Sequence, residues 1–261
     1  MVSTRRFGRL GNELFQYFAV IGYAMKHGLE YSIPRTTNNE VWNPVHYPHL
    51  FNEKWVEGRE DILINELWTT EQHYQEIEFK EEWRNKQIVL NGYWQSYKYM
   101  HEFRDEILRV FNFPYEKKER TISVHIRRGD YLLHPTKHPV VTYEYLDKAI
   151  QYLVSLGLGD YIFLFHSDEI VWAKEYASTL KDIKCEFSEG KNEMEDFISM
   201  SECEHQICSN STMAVVAAEI NQNPNKIVVV PGEDNWFGWE NRAKMTVKDL
   251  YRPEWIKIPY Q

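Results

Sequence analysis

Thr121-Ile122-Ser123-Val124-His125-Ile126-Arg127-Arg128-Gly129-Asp130 is a β-rich apolar run that stops abruptly on two arginines, a glycine and an aspartate. The run 121–126 reads as a buried strand. Comparable runs recur at 161–166, 205–208 and 227–230, with helical patterns around 142–156, 169–180 and 212–221 between most of them. Strands alternating with helices predict an α/β fold with a parallel sheet covered on both faces. In open sheets of this kind ligands bind beyond the carboxyl ends of the strands. Polar clusters stand at those ends: His125 to Asp130 after the first run, Ser167-Asp168 after the second, Ser209-Asn210-Ser211-Thr212 after the third.

Each cluster has an ordinary reading beside a functional one. Arg127 and Arg128 are suited to phosphate because the guanidinium fork binds two oxygens at once. Asp130 can hold one guanidinium in place, and an Arg–Asp pair at a strand exit is equally a common structural device. Strand alternation turns His125 and Arg127 to one side and Arg128 to the other, which predicts different roles for the two arginines. Ser167-Asp168 and Ser209-Asn210-Ser211 have the chemistry of helix caps, and the second group also opens a helix whose amides can receive an anion. Asn210-Ser211-Thr212 matches an N-glycosylation acceptor, a reading set aside because no secretory signal is visible.

The N-terminal stretch Gly8-Arg9-Leu10-Gly11-Asn12-Glu13 is a glycine turn carrying one cation ahead of a predicted helix over 14–26, which stops at His27-Gly28. Residues from about 34 to 75 show little period and read as irregular with short helices; 88–90 reads as a strand, with a helix following NGYWQS through Val110. Phe113-Pro114-Tyr115 and the charged residues to Arg120 read as a linker. This places a domain boundary after residue 118, giving halves 1–118 and 119–261.

The chain has 261 residues, 43% hydrophobic and 15% aromatic, enough for one large domain or two small ones. A net charge of -9 excludes a broad nucleic-acid-binding surface and confines any phosphate to a pocket. No run of about 18 apolar residues suggests a membrane span. The three cysteines lack disulfide or zinc spacing, which fits a reducing cytoplasm. No short motif indicates a metal and no nucleophile elbow is present. Trp94, Trp236, Phe237 and Trp239 are candidates to stack on sugar, with core packing the ordinary role. His134 and His138 read as water-exposed loop histidines.

Taken in order, GRLGNELFQY, NGYWQS, HIRRGDY, Ser167-Asp168, SNST and NPNKIVVVP resemble the bacterial α-1,2-fucosyltransferases of glycosyltransferase family 11, from about residue 8 to 231. The tandem arginines and glycine-rich start are also similar to those of α-1,6- and protein O-fucosyltransferases. The resemblance implies a GT-B-like architecture, two Rossmann-like halves with a cleft between them. The N-terminal half would face the acceptor and the C-terminal half would bind the GDP-sugar. It implies metal-independent, inverting transfer of L-fucose from GDP-β-L-fucose to a hydroxyl, O2 of galactose, of a glycan acceptor, without a further cofactor. A peripheral contact with a membrane-borne acceptor is compatible with this. Arg127 would hold the donor β-phosphate, His125 would help place the nucleotide, and Arg128 with Asp130 would shape the loop. Arg9 and Asn12 would reach across the cleft towards the diphosphate. Arg9, Arg127 and Asp130 are therefore the catalytic candidates, while Gly11, Asn12, His125, Arg128, Ser167, Asp168, Ser209, Asn210 and Ser211 are the donor-binding ones. Asp130, His134 and His138 are the candidate bases. The alternatives are another linkage or GDP-sugar on the same fold, or a non-catalytic nucleotide- or glycan-binding module.

Overall fold

The computed structural model describes residues 1–34, 48–190 and 192–260. It divides into two compact units, residues 1–113 and 114–261.

In the first unit β1 (Val2–Thr4) leads through a short turn into α1 (Leu10–His27). The sheet is completed by β2 (Ile62–Asn65) and β3 (Ile88–Asn91), all parallel, in the order β1-β3-β2. β3 is central because both its faces are apolar: Ile88, Val89 and Leu90 are buried, and Ile88 pairs with Val2 on one side and Ile62 on the other. α1 starts at Leu10, four residues before its predicted start, so Gly11 and Asn12 belong to its first turn. The helix predicted after NGYWQS is two pieces, α2 (Lys98–His101) and α3 (Arg104–Phe111). The irregular region holds a 3-10 turn at Pro48–Leu50 and the unpredicted β2; residues 35–47 of it lie outside the described residues.

The second unit carries β4 (Lys118–Ile126), α4 (Tyr143–Leu153), β5 (Ile162–Ser167), α5 (Ile170–Ala177) and β6 (Lys184–Phe187). It continues with α6 (Glu193–Glu202), β7 (Cys203–Ile207), α7 (Thr212–Ile220), β8 (Val228–Pro231), α8 (Trp239–Arg242) and β9 (Ile256–Ile258). β4 begins inside the predicted linker, so a boundary after residue 118 would cut the strand at its first residue. The six strands are parallel in the order β6-β5-β4-β7-β8-β9. Counted from β4 this is 3-2-1-4-5-6, the doubly wound order whose direction reverses between the first and fourth strands. The reversal lies between β4 and β7.

Ile122, Val124 and Ile126 on one face of β4 are fully buried with Tyr145, Leu146 and Leu153 of α4 and Phe163 and Phe165 of β5. The other face carries Ser123 and His125. Beneath it His166 bonds Ser123 through Nδ1 (3.4 Å) and Ser199 of α6 through Nε2 (3.0 Å). This buried polar layer is bonded rather than orphaned, as burial requires. The three cysteines are free thiols.

Candidate active site

β4 delivers HIRRGD to the point where the sheet reverses direction. His125 is buried, and its Nδ1 shares a 2.7 Å hydrogen bond with Ser209 Oγ at the end of β7. Burial, with Arg127 adding repulsion, lowers the imidazole pKa to about 3, so the ring is neutral at pH 7. His125 and Ser209 thus form a rigid, uncharged floor.

Arg127 lies above this floor. Its Nη2 donates to Asp130 Oδ1 at 2.5 Å and its Nη1 to Asp168 Oδ2 at 2.9 Å, with the guanidinium 5.3 Å from the centroid of the Tyr131 ring. The two carboxylates differ: the Asp130 side chain is 57% exposed and Asp168 27%. Asp168 is also tied to the backbone, its Oδ1 accepting from Arg128 N at 2.9 Å. Gly129 makes this approach possible, since a Cβ there would lie 2.6 Å from Asp168 Oδ2.

The capping reading of Ser167-Asp168 is corrected by this geometry. Ser167 Oγ does accept from Glu169 N at 2.9 Å, but Asp168 turns back onto the arginine loop and α5 has no side-chain cap. A full guanidinium charge and a free amide in the loop outweigh the partial charge at the helix end. Arg128 goes the other way, its guanidinium 4.1 Å from the centroid of Trp172 on α5, a cation–π contact. That contact places it away from the Arg127 cluster.

Asn210 and Ser211 do not act as caps either. Asn210 Nδ2 donates to Pro139 O (2.7 Å) and Trp236 O (3.2 Å), and Asn210 O accepts from Tyr131 OH (3.3 Å). Asn210 therefore fastens three loops around the site. Ser211 is the N-cap residue of α7 without a side-chain bond. His134 is exposed as expected; His138 is not, being half-buried against Tyr131, ring centroids 4.7 Å apart, with its pKa lowered chiefly by burial. Trp94, Trp236 and Phe237 are core residues, whereas Trp239 is 65% exposed.

Arg9, Gly11 and Asn12 gather separately, in the first unit. Arg9 occupies the N-cap position of α1, exposed, and its carbonyl accepts from Glu13 N at 3.0 Å. Gln16 locks the turn by donating to Phe7 O (2.8 Å) and Asn12 O (2.9 Å) while accepting from Phe7 N (3.1 Å). Glu13 is buried and pairs with Arg6 at 2.6 Å, and Asn12 Oδ1 accepts from Gln95 Nε2 at 2.7 Å. Tyr131, Gln16 and Gln95 were not singled out from sequence, and their only signal was their place inside HIRRGDY, GRLGNELFQY and NGYWQS.

A doubly wound sheet with an arginine held at its reversal point defines the second unit as an α/β fold of the nucleotide-binding type. Residues 1–259 match Glycosyl transferase family 11, and the chain belongs to that family. The O-antigen biosynthesis glycosyltransferase WbnK of Escherichia coli is 30% identical over 160 residues, covering 58% of this chain and 49% of that one. The alpha-1,2-colitosyltransferase of E. coli is 27% identical over 185 residues, 64% of this chain and 61% of its own. The galactoside alpha-(1,2)-fucosyltransferase 2 of Rattus norvegicus is 24% identical over 297 residues, 99% of this chain and 77% of its own. The match spans less than two thirds of each E. coli relative. Among the described residues no helix is long and apolar enough to cross a membrane.

Proposed function

We propose that this chain is an inverting, metal-independent transferase that moves L-fucose from GDP-β-L-fucose to a hydroxyl, O2 of galactose, of an oligosaccharide acceptor. The observation that carries the reading is Arg127, fixed by Asp168 where the sheet reverses between β4 and β7. Family membership and the names of the relatives support the reaction class and the α-1,2 linkage.

In the reaction the acceptor oxygen bonds to the anomeric carbon as the bond from that carbon to the diphosphate oxygen breaks, converting β to α. Negative charge grows on the departing GDP, and Arg127 meets it with donors already oriented by Asp168. Preorganised donors of this kind contribute about 2.7–4 kcal/mol each. A diphosphate oxygen competes with Asp130 for Arg127, because Asp130 is the more exposed carboxylate and lacks the backbone tie that Asp168 has. Released from the guanidinium, Asp130 takes the acceptor proton. His125 and Ser209 form the neutral floor under the nucleotide, and Arg9 and Asn12, at the N-cap and in the first turn of α1, are further substrate contacts.

The test is product formation with EDTA present, using GDP-β-L-fucose, GDP-mannose and GDP-linked colitose against a panel of β-galactosides. NMR of the product then reads anomer and linkage. An α-1,2-fucosyl product supports the proposal. Transfer of colitose alone replaces the donor, and tight GDP-fucose binding without turnover for any acceptor favours a binding module.

A further inference from the structure

The carboxylate of Glu66 stands just past β2, where its own amide still pairs with Asn91 O at 3.0 Å. Its Oε2 accepts from Tyr93 N at 2.6 Å and its Oε1 from Trp94 N at 2.9 Å. The fit is close: a Cβ on Gly92 would lie 2.6 Å from Glu66 Oε2. The backbone it grips is unusual, because Trp94 has φ +53°, a left-handed conformation that is costly for a bulky residue and persists only where surroundings enforce it. The Trp94 ring is fully buried, edge-on to Tyr99 at 5.4 Å. Burial outweighs the two amide donors and pushes the Glu66 carboxyl up to about 7, consistent with a carboxylate drawn out of water to make these bonds.

Two contacts run from this turn to the segment that opens α1. The Tyr93 ring packs on Phe7 with centroids 5.7 Å apart, and Gln95, buried, donates to Asn12 Oδ1 at 2.7 Å. Tyr93 carries an amide that Glu66 holds, and Gln95 follows directly on the other, Trp94. We propose that Glu66 is a positioning residue: by fixing the Tyr93–Trp94 turn it sets Gln95, and through Gln95 the side chain of Asn12. The inference deepens the proposed transfer and rests on it, since Asn12 is there a substrate contact. Glu66 touches no substrate in this account. Its effect travels through one strained turn and one side-chain hydrogen bond.

Amide hydrogen exchange on the full chain tests the coupling without reference to activity. In Glu66→Ala, exchange at Tyr93 and Trp94 rises at least tenfold and across residues 8–13 at least threefold, while α7 stays unchanged. Gln95→Ala reproduces the change at 8–13. Unchanged exchange at 8–13 in Glu66→Ala overturns the proposal. If Glu66→Ala does not fold, Glu66→Gln, which keeps one acceptor oxygen, is read in the same way with smaller changes.

Acceptor-dependent GDP release from GDP-β-L-fucose gives the functional arm. Glu66→Ala lowers kcat at least tenfold with donor KM within threefold, Glu66→Gln recovers part of it, and Glu66→Ala combined with Asn12→Ala falls no further than Asn12→Ala. Additive losses overturn the positioning role. If the wild type releases no GDP with any acceptor, the proposed transfer fails and the exchange result alone decides the coupling.

Discussion

Arg127 Nη1 lies 2.9 Å from Asp168 Oδ2, on a carboxylate whose other oxygen accepts the amide of Arg128 at 2.9 Å. One aspartate therefore fixes both the guanidinium and the loop that carries it. Asp168→Asn keeps an acceptor for the amide but removes the ion pair, so kcat/KM is expected to fall about 10–100-fold, roughly 1.4–2.7 kcal/mol of transition-state stabilisation. Steady-state kinetics checks this; a loss under threefold contradicts the orienting role.

Gly129→Ala is expected to act through the same carboxylate. The new Cβ would stand 2.6 Å from Asp168 Oδ2, so either the loop or the carboxylate must shift. Activity should fall about tenfold while stability changes by about 1 kcal/mol, the ordinary scale for a single substitution. Kinetics and thermal unfolding on one preparation separate the two effects.

Asp130 and His138 are distinguished by substitution. Asp130→Asn should lower kcat by about 10²–10⁴, the scale of a lost general base, without weakening GDP binding. His138→Gln should leave kcat within about threefold, given that its ring is engaged in the stack on Tyr131. The reverse pattern would move the proton to the histidine.

The buried histidines set an acid limit to stability. His125 and His166 both have pKa values lowered to about 3, in each case chiefly by burial. The unfolded chain takes up these protons near pH 6.5. Below that pH it binds more protons than the folded chain, so stability falls as pH drops from about 6.5 towards 3, by up to about 1.4 kcal/mol per pH unit for each ring. Urea titrations between pH 4 and 7 should show the slope, and His166→Asn should reduce it.

Trp239 is the aromatic candidate for contact with the acceptor sugar, being the one exposed residue of the four singled out. Trp239→Ala should raise acceptor KM about fivefold, near 1 kcal/mol, in scale with other aromatic contacts. Donor KM and melting temperature should hold.

The second sheet was legible because 121–126, 161–166, 205–208 and 227–230 are β-rich runs with few charges, none of whose residues is exposed. The strands that escaped notice are short, like Val2–Thr4 and Ile256–Ile258, or half-exposed, like Lys184–Phe187 with its alternating burial. Lys118 to Arg120 reads as linker because charge masks the start of a strand whose apolar pattern begins only at Ile122. The polar clusters could be located but not their bonds. Asp168 has the same chemistry whether it caps α5 or holds Arg127, and only the path of the loop decides. Glu66 gave no signal at all, since its partners are the backbone amides of a turn 27 residues further on.

The most direct test of the central claim compares wild type with Arg127→Ala for acceptor-dependent GDP release from GDP-β-L-fucose in EDTA. The account predicts turnover by the wild type and a loss of about 10²–10³ in kcat for the variant, with unfolding unchanged. A folded Arg127→Ala within about threefold of wild type would contradict it.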